Sequence, residues 1–102
     1  MNGLEPISAD MIDFYAGRPD VAIIDLRTEQ EYAAGHIRGA RNIPYEEAEG
    51  RIHLPRQKIL LLYCERGSSS LALGRRLAEK GYQVKSVIGG IHAYRGRNFV
   101  PA

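Results

Sequence analysis

The chain has 102 residues, of which 44% are hydrophobic and 25% charged, and these are the proportions of one globular domain over residues 1–102. Its one cysteine excludes an intramolecular disulfide and a Cys-cluster zinc site, and its three histidines lack metal-ligand spacing, so we expect no metal. A net charge of +2 from mixed charges, with no apolar stretch of about 20 residues and no signal-peptide pattern, predicts a cytoplasmic protein without nucleic-acid or membrane partners.

Short apolar runs and amphipathic segments alternate along the chain. In chain order they predict a strand at 6–8, a helix at 9–16, a strand at 21–26, a helix at 29–34, a strand at 39–43, a helix at 45–51, a strand at 59–63, a helix at 69–80 and a strand at 84–88. The run 59–63 is apolar throughout, which indicates a strand covered on both faces. The expected fold is therefore α/β, with a five-stranded, mainly parallel sheet flanked by helices.

Two helix ends carry local signals. Thr28 and Glu31 have the spacing of a capping box, in which each residue's side chain bonds the other's backbone N–H. Gly81 follows the helix predicted at 69–80, and a left-handed glycine there would bring Tyr82 back near Leu77 in a Schellman cap. Both signals place the boundaries of these helices.

Three features fall at the carboxyl ends of predicted strands. They are the segment 25–27, Cys64, and the pair Gly89-Gly90. Because the carboxyl ends of parallel strands form one edge of a sheet, this convergence predicts a site there. Whether Asp25 and Arg27 serve that site or only the fold stays open at the level of the sequence.

Cys64 directly follows the buried strand and precedes a helix. The free N–H groups and positive dipole end of that helix favour a thiolate, which lowers the pKa of a cysteine. Gly67 permits a positive φ, so the loop can point several amides inward and bind an anion, with Arg66 at the rim. A buried, inert cysteine is the alternative interpretation of the same residues.

The sequence resembles the single-domain rhodanese-like sulfurtransferases over nearly its whole length. Each matching segment is weak alone, but their order and spacing together carry the resemblance. The segments are Asp25-Leu26-Arg27, Glu31-Tyr32, the run 35–44 (GHIRGARNIP), the loop 63–70 (YCERGSSS) and the run 89–94 (GGIHAY).

The resemblance implies a three-layer rhodanese-like domain that transfers sulfane sulfur through a Cys64 persulfide. The donor would be thiosulfate or a persulfide, and the acceptor cyanide or a thiol, a protein thiol included; the physiological pair stays open. No metal or organic cofactor is implied. Cys64 would be the catalytic nucleophile, and the substrate-binding loop would comprise Glu65, Arg66, Gly67, Ser68 and Ser69.

Two departures and two alternatives accompany the resemblance. Many members carry arginine at the position of Ser69, which puts efficient use of thiosulfate in question, and Tyr94 replaces a usual tryptophan, a change expected to affect only packing. A phosphatase of related architecture is disfavoured because it needs arginine where Ser70 stands. A catalytically inactive rhodanese-like binding module is the second alternative, disfavoured by the retention of Cys64 and Gly67.

Overall fold

The computed structural model describes residues 3–102. The strands are β1 (Leu4–Ile7), β2 (Val21–Asp25), β3 (Gly35–Ile37), β4 (Arg41–Asn42), β5 (Ile59–Tyr63), β6 (Gln83–Val87) and β7 (Phe99–Pro101). The helices are α1 (Ile12–Tyr15), α2 (Glu29–Ala34), α3 (Tyr45–Arg51) and α4 (Ser68–Glu79). Short 3-10 turns lie at Ala9–Met11 and Gly90–Ala93.

Five parallel strands form the central sheet in the order β1-β6-β5-β2-β4, which confirms the predicted α/β architecture. The all-apolar strand β5 lies at the centre and is buried along most of its length, as its composition predicts. Apolar side chains cover both faces of the sheet. One face packs with α3 and α4, and the other with α1 and Ile37 of β3.

Four of the five predicted strands have different bounds in the structure, two of them, β2 and β6, by no more than a single residue at either end. The third is limited to Arg41–Asn42, because Gly39, with a φ of 83°, and Ala40 belong to a turn closed by a hydrogen bond from Ala40 N–H to the Ile37 carbonyl. The first ends at Ile7. The helix predicted at 9–16 is a 3-10 turn followed by the single turn of α1.

A second, two-stranded sheet was not predicted. β3 pairs antiparallel with β7, and His36 lies opposite Val100. Gly35 packs so closely against the Phe99 ring that a Cβ atom at that position would lie 2.3 Å from it. The sequence predicts only the end of α2 at Gly35, because a three-residue strand has no periodicity that would reveal it.

Both predicted helix ends are confirmed. The Thr28 hydroxyl accepts a hydrogen bond from Glu31 N–H at 3.1 Å, and the Glu31 carboxylate accepts one from Thr28 N–H at 3.0 Å. At the end of α4, Gly81 has a φ of 95°, and Tyr82 N–H donates to the Leu77 carbonyl at 3.2 Å. The latter bond is the signature of a Schellman motif.

Candidate active site

Cys64 lies where the central strand gives way to α4. Its side chain is buried, and its Sγ accepts a hydrogen bond of 3.1 Å from Gly67 N–H. Gly67 has a φ of 107°, and an added Cβ would lie 3.0 Å from the Gly89 backbone nitrogen. Only glycine adopts this conformation without strain, so Gly67 is what turns an amide toward the sulfur.

The N-terminus of α4 faces the same loop. Gly67 is the N-cap residue, and no side chain caps the helix. The Ser70 hydroxyl donates to the Gly67 carbonyl at 3.0 Å and pairs with the Ser86 hydroxyl at 2.9 Å. Ser70 and Ser86 are both buried, so this pair fastens the start of α4 to β6. Ser70 therefore supports the start of α4 from the interior of the domain.

The turn after β6 holds the cysteine loop from the other side. Ile91 N–H donates to the Cys64 carbonyl at 2.9 Å, and His92 N–H donates to the Glu65 carbonyl at 3.4 Å. Gly90 has a φ of 61°, and a Cβ atom there would lie 2.4 Å from the Cys64 carbonyl oxygen. The predicted convergence of strand ends is thus present, and the glycine pair after β6 makes the close approach possible.

The segment after β2 forms a buried ion pair at the same edge. Arg27 donates to both carboxylate oxygens of Asp25, with an Nη2–Oδ2 distance of 2.8 Å, and to the Gly35 carbonyl. Asp25 is fully buried and also accepts from Arg27 N–H. Burial disfavours the charge of Arg27, but the hydrogen bonds to Asp25 raise its pKa above the ordinary value. Asp25 bonds no amide of the cysteine loop.

Tyr63 links this ion pair to β3. Its hydroxyl accepts a hydrogen bond from Ile37 N–H at 3.0 Å. Burial, reinforced by the Asp25 carboxylate, raises the pKa of Tyr63, so that the phenol stays protonated under ordinary conditions. The residue before the cysteine therefore supports the fold and carries no charge into the site.

The remaining residues of the predicted substrate-binding loop lie on its outer side. Arg66 and Ser68 are exposed, while Glu65 and Ser69 are half-buried. Arg66 and Ser68 border a hollow of about 270 Å³, whereas Glu65 borders a separate groove of about 560 Å³.

Tyr94 contributes more than packing, which corrects the prediction from the sequence. Its hydroxyl donates to Asp13 Oδ1 at 2.5 Å and accepts from Asn98 N–H at 2.6 Å. These bonds tie the segment after the 3-10 turn to α1. The Tyr94 and Asn98 hydrogen bonds lower the pKa of Asp13, which favours its ionised form. The partners are 81 residues apart, so no local pattern could reveal the contact.

Sequence reasoning also missed the contact between His92 and Glu65, whose side chains meet through Nε2 and Oε2. Nothing in the sequence pairs these residues, which are 27 positions apart. Among residues 3–102 there is no group of three or more His, Cys, Asp or Glu side chains placed to hold a metal ion. Within the same range, no helix is long and apolar enough to cross a membrane.

Comparison with known proteins identifies the family. The profile of the rhodanese-like domain matches residues 9–97. The chain belongs to the rhodanese-like domain family. It is similar to a rhodanese-like domain protein from Staphylococcus aureus, whose solved structure superposes with a TM-score of 0.82 at 25% identity, covering 96% of this chain and 98% of that one.

Two relatives of this rhodanese-like domain are named as sulfurtransferases. The thiosulfate sulfurtransferase GlpE of Coxiella burnetii is 30% identical over 78% of this chain and 76% of its own length. The tRNA sulfurtransferase of Desulfurococcus amylolyticus is 37% identical over 88% of this chain. The chain spans 18% of the length of that second relative.

Proposed function

We propose that this rhodanese-like domain is a sulfurtransferase that carries sulfane sulfur as a persulfide on Cys64. The observation that carries the proposal is the 3.1 Å hydrogen bond from Gly67 N–H to Cys64 Sγ at the N-terminus of α4. An amide donor and the positive end of a helix dipole both favour an anionic sulfur over a thiol. The names of the sulfurtransferase relatives point to the same chemistry.

Sulfur uptake is a displacement at sulfur. The Cys64 thiolate attacks the outer sulfur of thiosulfate, a new S–S bond forms, the S–S bond of thiosulfate breaks, and its electron pair leaves on sulfite. Negative charge then lies on the terminal sulfur of the persulfide. The Gly67 N–H and the helix N-terminus are already oriented toward this region, so they stabilise the charge without rearrangement.

Sulfur discharge needs a second nucleophile. The chain has one cysteine, so the acceptor comes from outside these 102 residues. An acceptor thiolate, a protein thiol included, or cyanide attacks the outer sulfur of the persulfide and releases the Cys64 thiolate. Because a catalytic thiol must stay reduced between turnovers, we place this chemistry in the cytoplasm.

Five loop residues are proposed to bind the donor, in different ways. Gly67 offers its amide to sulfur, and Arg66 at the rim offers a positive charge to anionic donors. Ser68 and Ser69 supply the first free amides of α4. Glu65, the fifth, carries the only negative charge of the loop and is proposed to act by setting which donors bind.

Intact-mass analysis after brief incubation with thiosulfate or glutathione persulfide tests this proposal. We expect a gain of about 32 daltons, one sulfur atom, that a reductant reverses. Cys64→Ser should abolish the gain while keeping the fold, because serine is nearly isosteric with cysteine. An adduct that persists in Cys64→Ser, or no adduct with either donor, would overturn the proposal, and the second result would favour a binding module.

A further inference from the structure

A carboxylate directly follows the residue that would carry the sulfur. Glu65 leaves 43% of its side chain exposed, and its Oε1 lies 3.8 Å from Arg27 Nη1. Its other carboxylate oxygen contacts His92 Nε2. The loops after β2 and β6 thus each contribute one group that holds Glu65 beside the Cys64 loop.

The charge of Glu65 is only partly compensated. Arg27 is engaged by the fully buried Asp25, so the pair Asp25–Arg27 is neutral as a unit. His92 adds a positive charge only when its imidazole is protonated. The remaining charged groups around His92 are Glu31, which borders the same groove, and Arg95, whose Nη1 donates to the His92 carbonyl at 2.7 Å.

The groove beside Glu65 has a volume of about 560 Å³, within the range of sites for small organic molecules and far larger than a thiosulfate ion. The groove next to the residue after Cys64 therefore has room for an organic group and carries the Glu65 carboxylate at its wall. The residues that line the groove include Arg27, Glu31, Glu65, His92, Arg95 and Phe99.

We propose that Glu65 is a specificity-determining residue that disfavours dianionic sulfane donors relative to donors of lower charge. The inference rests on the proposed function. Its physical basis is that Coulomb repulsion scales with the charge of the donor, so a dianion is penalised about twice as much, in free energy, as a monoanion at the same place.

Thiosulfate and methanethiosulfonate are suitable probes, because a methyl group in the second replaces one charged oxygen of the first. Each gives Cys64 the same atom: the thiolate bonds to the outer sulfur, the donor's S–S bond breaks, and the electron pair leaves on sulfite or methanesulfinate. The two donors therefore differ in charge while the bond formed at Cys64 is identical.

Glu65→Gln keeps the length of the side chain and removes its charge. We expect kcat/KM to rise about tenfold with thiosulfate and about threefold with methanethiosulfonate, since the first gain is the square of the second. Glu79→Gln is the matched control, because Glu79 ends α4 about 17 Å along the helix from Ser68 and has the same charge. Equal gains with both donors, or gains also in Glu79→Gln, would overturn the inference.

The failure of this inference is distinguishable from failure of the proposed function. If the unsubstituted protein forms no Cys64 adduct with either donor, the proposed function falls and the inference falls with it. If an adduct forms but its rate is unchanged in Glu65→Gln, only the inference falls. A thermal melt of each variant shows whether a change in rate merely follows a loss of fold.

Discussion

The loops after β2 and β5 begin at the same level of the sheet, where Asp25 lies opposite Tyr63, yet they are built in opposite ways. In the loop after β5 the group that faces the thiol belongs to the backbone, because Gly67 directs its amide at Cys64 Sγ. In the loop after β2 the main contact is between charged side chains, because Arg27 forms an ion pair with the buried Asp25. Neighbouring strand ends thus carry one loop that directs an amide at a thiol and one in which a buried carboxylate and a guanidinium pair with each other.

This difference separates a residue that supports the fold, Arg27, from a residue proposed to assist sulfur transfer, Gly67. A guanidinium with bonds to a buried carboxylate and to the Gly35 carbonyl has little freedom to bind a substrate. An amide turned toward sulfur by a left-handed glycine has no other partner to give up. Changes in the loop after β2 should therefore affect stability first, whereas changes in the loop after β5 should affect sulfur transfer first.

The largest expected effect is on stability, from Arg27→Ala. The change leaves the Asp25 carboxylate buried without its counterion, and breaking a buried pair in this way costs about 3–5 kcal/mol. Urea denaturation measures the loss. Arg41→Ala removes an exposed arginine and should shift the free energy of unfolding by less than about 0.5 kcal/mol. Equal losses in the two variants would show that the pair does not support the fold.

Gly67→Ala should affect the other loop, with a larger effect on activity than on stability. A residue with Cβ resists the φ of 107°, so the amide turns away from Cys64. We expect the rate of persulfide formation to fall about 100-fold, as when an anion-stabilising amide is lost. Rapid mixing with the donor, quenching and intact-mass analysis measure this rate.

Gly50→Ala is the control for Gly67→Ala. Gly50 lies within α3, and a Cβ there meets nothing within 4 Å, so alanine should raise stability by about 0.5–1 kcal/mol and leave the rate unchanged. If Gly67→Ala also transfers sulfur at the original rate, the amide is not part of the mechanism.

Ser69→Arg should have the smallest effect. It adds a side-chain charge next to the Cys64 loop, where the thiol otherwise meets a backbone amide. A guanidinium in the first turn of α4 can hydrogen-bond the sulfonate end of thiosulfate, so we expect its KM to fall about fivefold. Steady-state kinetics beside Ser69→Gln, which adds length without charge, isolates the contribution of charge. A similar KM in the two variants would argue against a missing cation as the limit on thiosulfate use.

The sequence predicted the sheet and the meeting of strand ends because their signals are local. The apolar run of β5, the capping box of α2 and the glycine after α4 each act within a few residues, and all three are confirmed. The parallel direction of the strands followed from their alternation with helices, whereas the order of the strands in the sheet was not predicted.

What the sequence could not predict depends on contacts between distant residues. The pairing of β3 with β7 joins Gly35 to Pro101, and the hydroxyl of Tyr94 finds Asp13 across the molecule. The contact of Glu65 with His92 is of the same kind. A tyrosine or a histidine in a sequence does not reveal whether its polar atom meets water or a carboxylate, since the fold decides which groups it faces.

The turn at Gly90 has a consequence for the order in which the cysteine loop takes its shape during synthesis. The Cys64 and Glu65 carbonyls are held by N–H groups of Ile91 and His92, which leave the ribosome about 27 residues after the cysteine. A nascent chain that has exposed Cys64 but not this turn lacks the two hydrogen bonds that hold the Cys64 loop. The loop around the thiol is therefore completed only after the turn at Gly90 has been synthesised.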